Sequence, residues 1–101
     1  MTNTPDYKAA ILQQLASIPF GKACSYGYLA KAAGLPGYAR QVGNIMKSLP
    51  HNTQLPWHRI VNSQRKISFP IGSEAYLEQR RRLEAEGIEF KGEKILITQF
   101  L

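Results

Sequence analysis

A mainly α, winged helix-turn-helix-like single domain with a short β-hairpin wing is the fold class this sequence predicts, and three observations predict it. Two short helical patterns meet at Gly34-Leu35-Pro36-Gly37, a glycine-containing connection of the kind a helix-turn-helix uses. Two short apolar runs, Ile60-Val61 and Ile67-Ser68-Phe69, flank the polar stretch Asn62-Ser63-Gln64-Arg65-Lys66, which reads as a hairpin wing. With 101 residues, 44% of them apolar, and no repeat, low-complexity tract or interdomain linker, residues 1–101 read as one small domain able to pack a core.

In chain order, Thr4-Pro5-Asp6 reads as N-cap, N1 proline and acidic first turn of the first helix. Tyr7, Ile11, Leu15 and Ile18 then recur at helical spacing until Pro19 and Gly21 end the pattern. Ser25 is placed to cap a second helix, roughly residues 26–33, stopped by Gly34. A third helix spans about residues 38–49 with Val42, Ile45, Met46 and Leu49 on its inner face, and Pro50 closes it. A last helix covers residues 74–86 and ends at Gly87, with Tyr76, Leu77 and Leu83 as inner positions and Arg80-Arg81-Arg82 mainly in solvent. The tail Ile95-Leu96-Ile97 is compatible with an added strand or with packing on the core.

Charge is distributed unevenly. Residues 7–73 hold eight basic residues (Lys8, Lys22, Lys31, Arg40, Lys47, Arg59, Arg65, Lys66) and no acid, whereas the remainder holds five basic and seven acidic ones; the net charge is +6. An uncompensated basic segment attracts phosphate backbones through counterion release, although a generic solubilising surface has the same composition. The apolar runs are too short to span a bilayer, which needs about 20 residues, so no membrane partner is expected. The start Met1-Thr2-Asn3-Thr4-Pro5-Asp6 lacks the basic and apolar regions of a signal peptide, and a lone cysteine suits a reducing compartment. A cytoplasmic location, nucleoid-associated in a bacterium, is the expectation. Cys24, His51 and His58 match no zinc spacing, and neither a metal nor another cofactor is expected.

The most specific signal is Leu55-Pro56-Trp57-His58-Arg59-Ile60-Val61. It resembles the Pro-Cys-His-Arg active-site motif of the O6-alkylguanine-DNA alkyltransferases, with tryptophan in the place of the nucleophilic cysteine. Spacing extends the likeness: Ser25-Tyr26 opens the second helix, Arg40 follows fourteen positions after Tyr26 within Ala39-Arg40-Gln41-Val42-Gly43, and Trp57 stands seventeen beyond Arg40. Pro19-Phe20-Gly21-Lys22, Leu29-Ala30, Gly34 and Glu86-Gly87 match as well, so the likeness covers roughly residues 6–87. A thiolate is a strong nucleophile, but an indole nitrogen only donates hydrogen bonds. The chain is therefore most similar to the alkyltransferase-like proteins, which bind the lesion without reversing it.

That resemblance implies a role for each residue. The third helix would enter the minor groove, with Ala39 and Gly43 allowing close approach and Arg40 filling the gap left by an extruded nucleotide. Tyr26 would crowd the phosphate beside the target and help drive the flip. The flipped base would lie in a pocket formed by Trp57, Tyr26, Ile60 and Pro56, with the 67–72 loop as another wall. That loop is about two residues longer than in the enzymes, and Leu49-Pro50 replaces their Asn-Pro. His58 and Glu86 match the residues that help deprotonate the enzymes' cysteine and, with Arg59, would persist as a structural network. Outside this context Arg40 would read as a solvated surface arginine, and Tyr26 and Trp57 as packing residues.

The function implied is non-enzymatic recognition of O6-alkylguanine in double-stranded DNA by a monomer, marking the site for nucleotide excision repair. A non-catalytic binder needs a reader, so a repair-protein partner is expected. Two alternatives stand beside it. A winged-helix transcription regulator would need only the basic helix pair and wing. A residual alkyltransferase would use another acceptor, Cys24 or His58, although Cys24 lies 33 positions before Trp57 and reads as a packing residue.

Overall fold

Three of the four α-helices among the described residues begin at a residue whose side chain replaces a missing backbone partner. A computed structural model describes residues 6–101, and the expected capping roles of Thr4 and Pro5 fall outside them. Asp6 takes the N-cap of α1 (Tyr7–Ala16) rather than the first-turn place expected of it, because its Oδ1 accepts from the Ala9 N–H at 3.0 Å. Ser25 caps α2 (Tyr26–Ala32) by accepting from Tyr28, and Ser73 caps α4 (Glu74–Ala85) by accepting from Tyr76. Only α3 (Ala39–Ser48) starts without a side-chain cap, at Tyr38, whose ring lies 5.4 Å from that of Tyr7. No helix among the described residues is long and apolar enough to cross a membrane.

The core has two parts. Ile11, Leu15 and Ile18 of the N-terminal segment pack with Leu29, Ala30, Val42 and Ile45 of the helix pair, with Met46 and Leu49 against their margin. Val61, Ile67, Tyr76, Leu83, Ile88 and Ile95 form the second cluster. A minimal parallel pairing lies between the clusters: β1 (Cys24–Ser25) runs beside β2 (Ile60–Val61) with Cys24 opposite Ile60 and Ser25 opposite Val61. This pairing sets the start of α2 beside the Pro-Trp-His-Arg segment, 30 and more residues further along the chain.

The structure moves the hairpin. Residues 67–69 form no strand against β2; the antiparallel hairpin is instead β3 (Phe90–Lys91) with β4 (Lys94–Ile95). Ile60 and Val61 are both buried, and two buried apolar neighbours suit a covered parallel pair better than a half-exposed wing. The polar stretch after them is a closed turn, in which Asn62 Oδ1 accepts from the Gln64 and Lys66 N–H groups and Arg65 takes a positive φ of 66°. The tail does both things open to it: Lys94–Ile95 is a strand, and beyond the short 3-10 turn Ile97–Gln99 the chain bridges back from Phe100 to Ala23.

Two inner-face expectations on α4 are also corrected. Leu77 is 56% exposed, and Gln79, 3% exposed, sits inside with Tyr76 and Leu83, because 76, 79 and 83 share one helical stripe while 77 lies more than a quarter of a turn off it. Of the three arginines only Arg81 is mainly in solvent. Arg80 stacks 4.1 Å from the Phe90 ring centroid and bonds Glu84 and the Tyr76 hydroxyl, which itself donates to Glu93. Arg82 donates to Glu78 at 2.6 Å and lies 5.3 Å from the Trp57 ring centroid.

These placements predict that Leu83→Ala lowers unfolding free energy by about 2–5 kcal/mol, whereas Leu77→Ala stays within about 0.5 kcal/mol of the parent. Urea denaturation followed by circular dichroism measures both.

Candidate lesion-binding site

A cavity of about 510 Å³ opens between α2, α3, the Trp57 turn and the 67–72 loop. Of the residues singled out from sequence, Tyr26, Ala39, Arg40, Gly43, Trp57 and Ile60 line it together. Pro56 does not; its carbonyl accepts from the Arg59 N–H at 3.1 Å and so shapes the 3-10 turn Trp57–Arg59 that presents the indole. The expected loop wall is present as Ser68 and Phe69. The Tyr26 hydroxyl meets Ser68 Oγ at 2.9 Å, so this tyrosine ties α2 to that wall.

Met46, Lys47 and Gln79 complete the lining and were not anticipated there. Positions 40, 43 and 47 follow one another at helical spacing on a single face of α3, a pattern that would have pointed to Lys47. Gln79 carries no such signal, being a polar residue inside an otherwise apolar stripe.

Trp57 is half-buried and serves as a shared wall. It also borders a second cavity of about 480 Å³, lined further by Leu49, Pro50, His51, Glu74 and Glu78, with Met46, Lys47 and Phe69 common to both. The His58 ring stands edge-on to the indole at 6.0 Å. Where the enzymes have Asn-Pro, the turn is held by Thr53: its N–H donates to the Pro50 carbonyl, and its hydroxyl accepts from Leu55.

Behind this wall His58, Arg59 and Glu86 converge. Glu86 accepts from His58 Nε2 at 2.6 Å, from Arg59 Nε at 2.9 Å and Nη2 at 2.8 Å, and from the Gly21 N–H at 3.1 Å. Arg59 Nη1 donates to the Ile18 carbonyl at 2.7 Å, so the guanidinium is spent inside the protein and anchors the motif rather than reaching outward. Burial alone would raise the Glu86 pKa, but the donors from Arg59, His58 and Gly21 outweigh it and hold the carboxyl at about 2. Burial, together with the nearby Arg59 and Arg82 charges, lowers the His58 pKa against the raising effect of Glu86, so at neutral pH the uncharged imidazole donates Nε2–H to Glu86. Its Nδ1 is enclosed without a partner among the described residues.

Cys24 sits opposite Ile60 in the strand register but is fully buried, and burial pushes its thiol up to about 12. The acids act elsewhere: apart from His58 and Arg59, no basic side chain of residues 7–73 has a carboxylate partner among the described residues. Arg40 is exposed on the cavity rim. A carbon built on Gly43 would meet nothing within 4 Å, so the fold has no internal need for a glycine there. No group of three or more metal-ligating side chains occurs among the described residues.

Comparisons with known proteins agree with this geometry. Residues 6–88 match the family model of the 6-O-methylguanine DNA methyltransferase DNA-binding domain. Alkyltransferase-like protein 1 of Schizosaccharomyces pombe is 42% identical over 84 residues, covering 83% of this chain and 78% of that one. A DNA base-flipping protein of Vibrio parahaemolyticus is 48% identical over 79 residues, 78% of this chain and 77% of its own. In structure, the chain superposes on S. pombe Atl1 in complex with damaged DNA containing O6-carboxymethylguanine with a TM-score of 0.79 and 39% identity, over 89% of this chain and 83% of that one.

The Glu86 node carries a pH signature. Its carboxyl binds a proton less readily folded than unfolded, so its stabilisation is complete above about pH 4.5 and is lost as pH falls from there towards 2. Glu86→Gln is expected to cost about 3 kcal/mol at neutral pH by stranding the Arg59 charge. It should also flatten the acid limb of stability against pH in urea titrations.

Proposed function

The chain belongs to the alkyltransferase-like branch of the family of the 6-O-methylguanine DNA methyltransferase DNA-binding domain, and from that premise we propose that it is a non-enzymatic sensor of O6-alkylguanine in duplex DNA. It flips the damaged base into the 510 Å³ cavity and holds it against Trp57. The observation that carries the reading is that cavity: its wall is an indole where the family's enzymes have a thiol, and its rim is the exposed, cationic face of α3.

The α3 face suits close docking on DNA. Gly43 lowers helix propensity by about 1 kcal/mol relative to alanine without an internal reason, and a bare backbone there lets a duplex approach. Arg40, unpaired among the described residues, is available to enter the stack where the base has left. The absence of dealkylation follows from chemistry. Trp57 has no nucleophilic lone pair. Cys24 is sealed and stays protonated, and the one free lone pair of the His58 ring, on Nδ1, is enclosed in the protein, so neither offers a substitute acceptor. A transcription regulator would read an outer DNA surface and has no use for a base-sized cavity behind its helix pair.

A bound but unrepaired lesion requires a second protein to act on it. The chain acts in this reading as a cytoplasmic monomer that marks the site for nucleotide excision repair.

Anisotropy titrations of duplexes differing by one O6-methylguanine test this. A preference for the lesion, with the modified base recovered intact and the protein mass unchanged, is the expected result; equal affinities, or a methyl transferred to the protein, overturn it. Arg40→Ala should weaken lesion binding about tenfold, and Trp57→Ala by about 5- to 150-fold, as the loss of base–aromatic stacking implies.

A further inference from the structure

His58 and Gln79 are the two buried polar residues among those described. His58 belongs to the Glu86 node, but nothing so far explains Gln79. Its stripe on α4 would accept a leucine, and a buried carboxamide is costly unless its groups are paired. Its nitrogen is paired: Nε2 donates to the carbonyls of His58 at 3.0 Å and Ile60 at 2.9 Å. Those two carbonyl oxygens also fix which way the amide points, because the flipped orientation would set oxygen against oxygen. The carboxamide oxygen accepts from no donor among the described residues. It is nevertheless not a sealed atom; the enclosed, unpartnered side-chain atoms are Gln41 Oε1 and His58 Nδ1. Gln79 lines the 510 Å³ cavity, and that cavity is the space within reach of its unpaired oxygen.

A cavity acceptor must be matched by a donor on the occupant. Alkylation at O6 removes the N1 proton of guanine, so N1, N3, N7 and O6 can only accept, and the exocyclic 2-amino group is the one N–H donor left on the base. We propose that Gln79 is a specificity-determining residue of this site: its nitrogen fixes the His58 and Ile60 carbonyls, and its oxygen accepts from the 2-amino group of the extruded purine. The inference rests on the lesion-binding reading above and deepens it, restricting the ligand to 2-aminopurines.

The test uses three duplexes that differ at one base opposite thymine: guanine, O6-methylguanine, and 6-methoxypurine, which keeps the O-methyl group but lacks the 2-amino group. Each is titrated at fixed salt with the parent protein and with Gln79→Met, which matches glutamine in length but offers no carboxamide. The parent should bind O6-methylguanine about tenfold tighter than 6-methoxypurine, the size of one well-made hydrogen bond. In Gln79→Met the two affinities should converge to within about twofold. A purely structural glutamine would weaken both duplexes alike and leave their ratio unchanged, which overturns the proposal; so does a parent that binds the two methylated bases equally. Equal binding of guanine and O6-methylguanine by the parent is a different failure, that of lesion recognition itself. A circular-dichroism melt verifies the fold of the variant, and Gln79→Asn, which withdraws the same carboxamide by one methylene, replaces it if methionine is not tolerated, with the same convergence expected.

Discussion

The Glu86 carboxylate is the constraint on which the rest of the site depends. It gathers the Gly21 N–H from the loop after α1, His58 and Arg59 from the motif, and it stands at the C-terminal end of α4. Three segments far apart in sequence are thereby held to one pair of oxygen atoms, and Arg59 extends the tie to the Ile18 carbonyl. Gly21 reaches the carboxylate from a φ of 80°, a backbone state natural to glycine. A buried ion pair contributes little to net stability but is severe about geometry. The constellation fixes the segment that carries Trp57, so the indole stands on a rigid mount.

Electrostatics divides the molecule in the same way. The glutamates lie in the last third of the chain, and there they bond Arg80, Arg81 and Arg82 along α4. Those arginines therefore add little free charge, and the field of the domain comes mostly from the acid-free segment that bears α3. Glu78 illustrates the arrangement: hydrogen bonds from Arg81 and then Arg82 hold its carboxyl at about 2, and Arg82 in turn covers the Trp57 ring. Charge neutralised on one face leaves charge unopposed on the other, and long-range attraction for a polyanion follows from that asymmetry.

The helices were legible because their ends are written in chemistry that acts locally: Ser25 as a cap, Gly34 and Gly87 as stops, Pro50 as a break; the caps Asp6 and Ser73 did not show as such, Asp6 reading as a first-turn acid. What could not be read depended on partners distant in sequence. Ile60-Val61 looked like one arm of a local hairpin because its true partner, Cys24–Ser25, comes 36 residues earlier in a parallel pair. Arg80 looked solvated because nothing nearby in sequence announces Phe90 beneath it. Gln79 was passed over since apolarity stood in for inwardness, and its burial is explained only by two carbonyls brought to it by the fold. In the site, the positions tied by motif spacing (Tyr26, Arg40, Gly43, Trp57, Ile60) do share one cavity, whereas Pro56 proved to be scaffold and Lys47 a neighbour.

Trp57 is the single tryptophan of the chain, and it borders two cavities with a guanidinium 5.3 Å from its ring centroid. The tryptophan emission of this protein, excited apart from its five tyrosines, therefore originates at one place, the indole that borders both cavities. An aromatic guest in the cavity or a shift of Arg82 alters the surroundings of the same chromophore. The residue that stands in for a nucleophile thus makes the domain self-reporting, with the state of its pocket written into its own light.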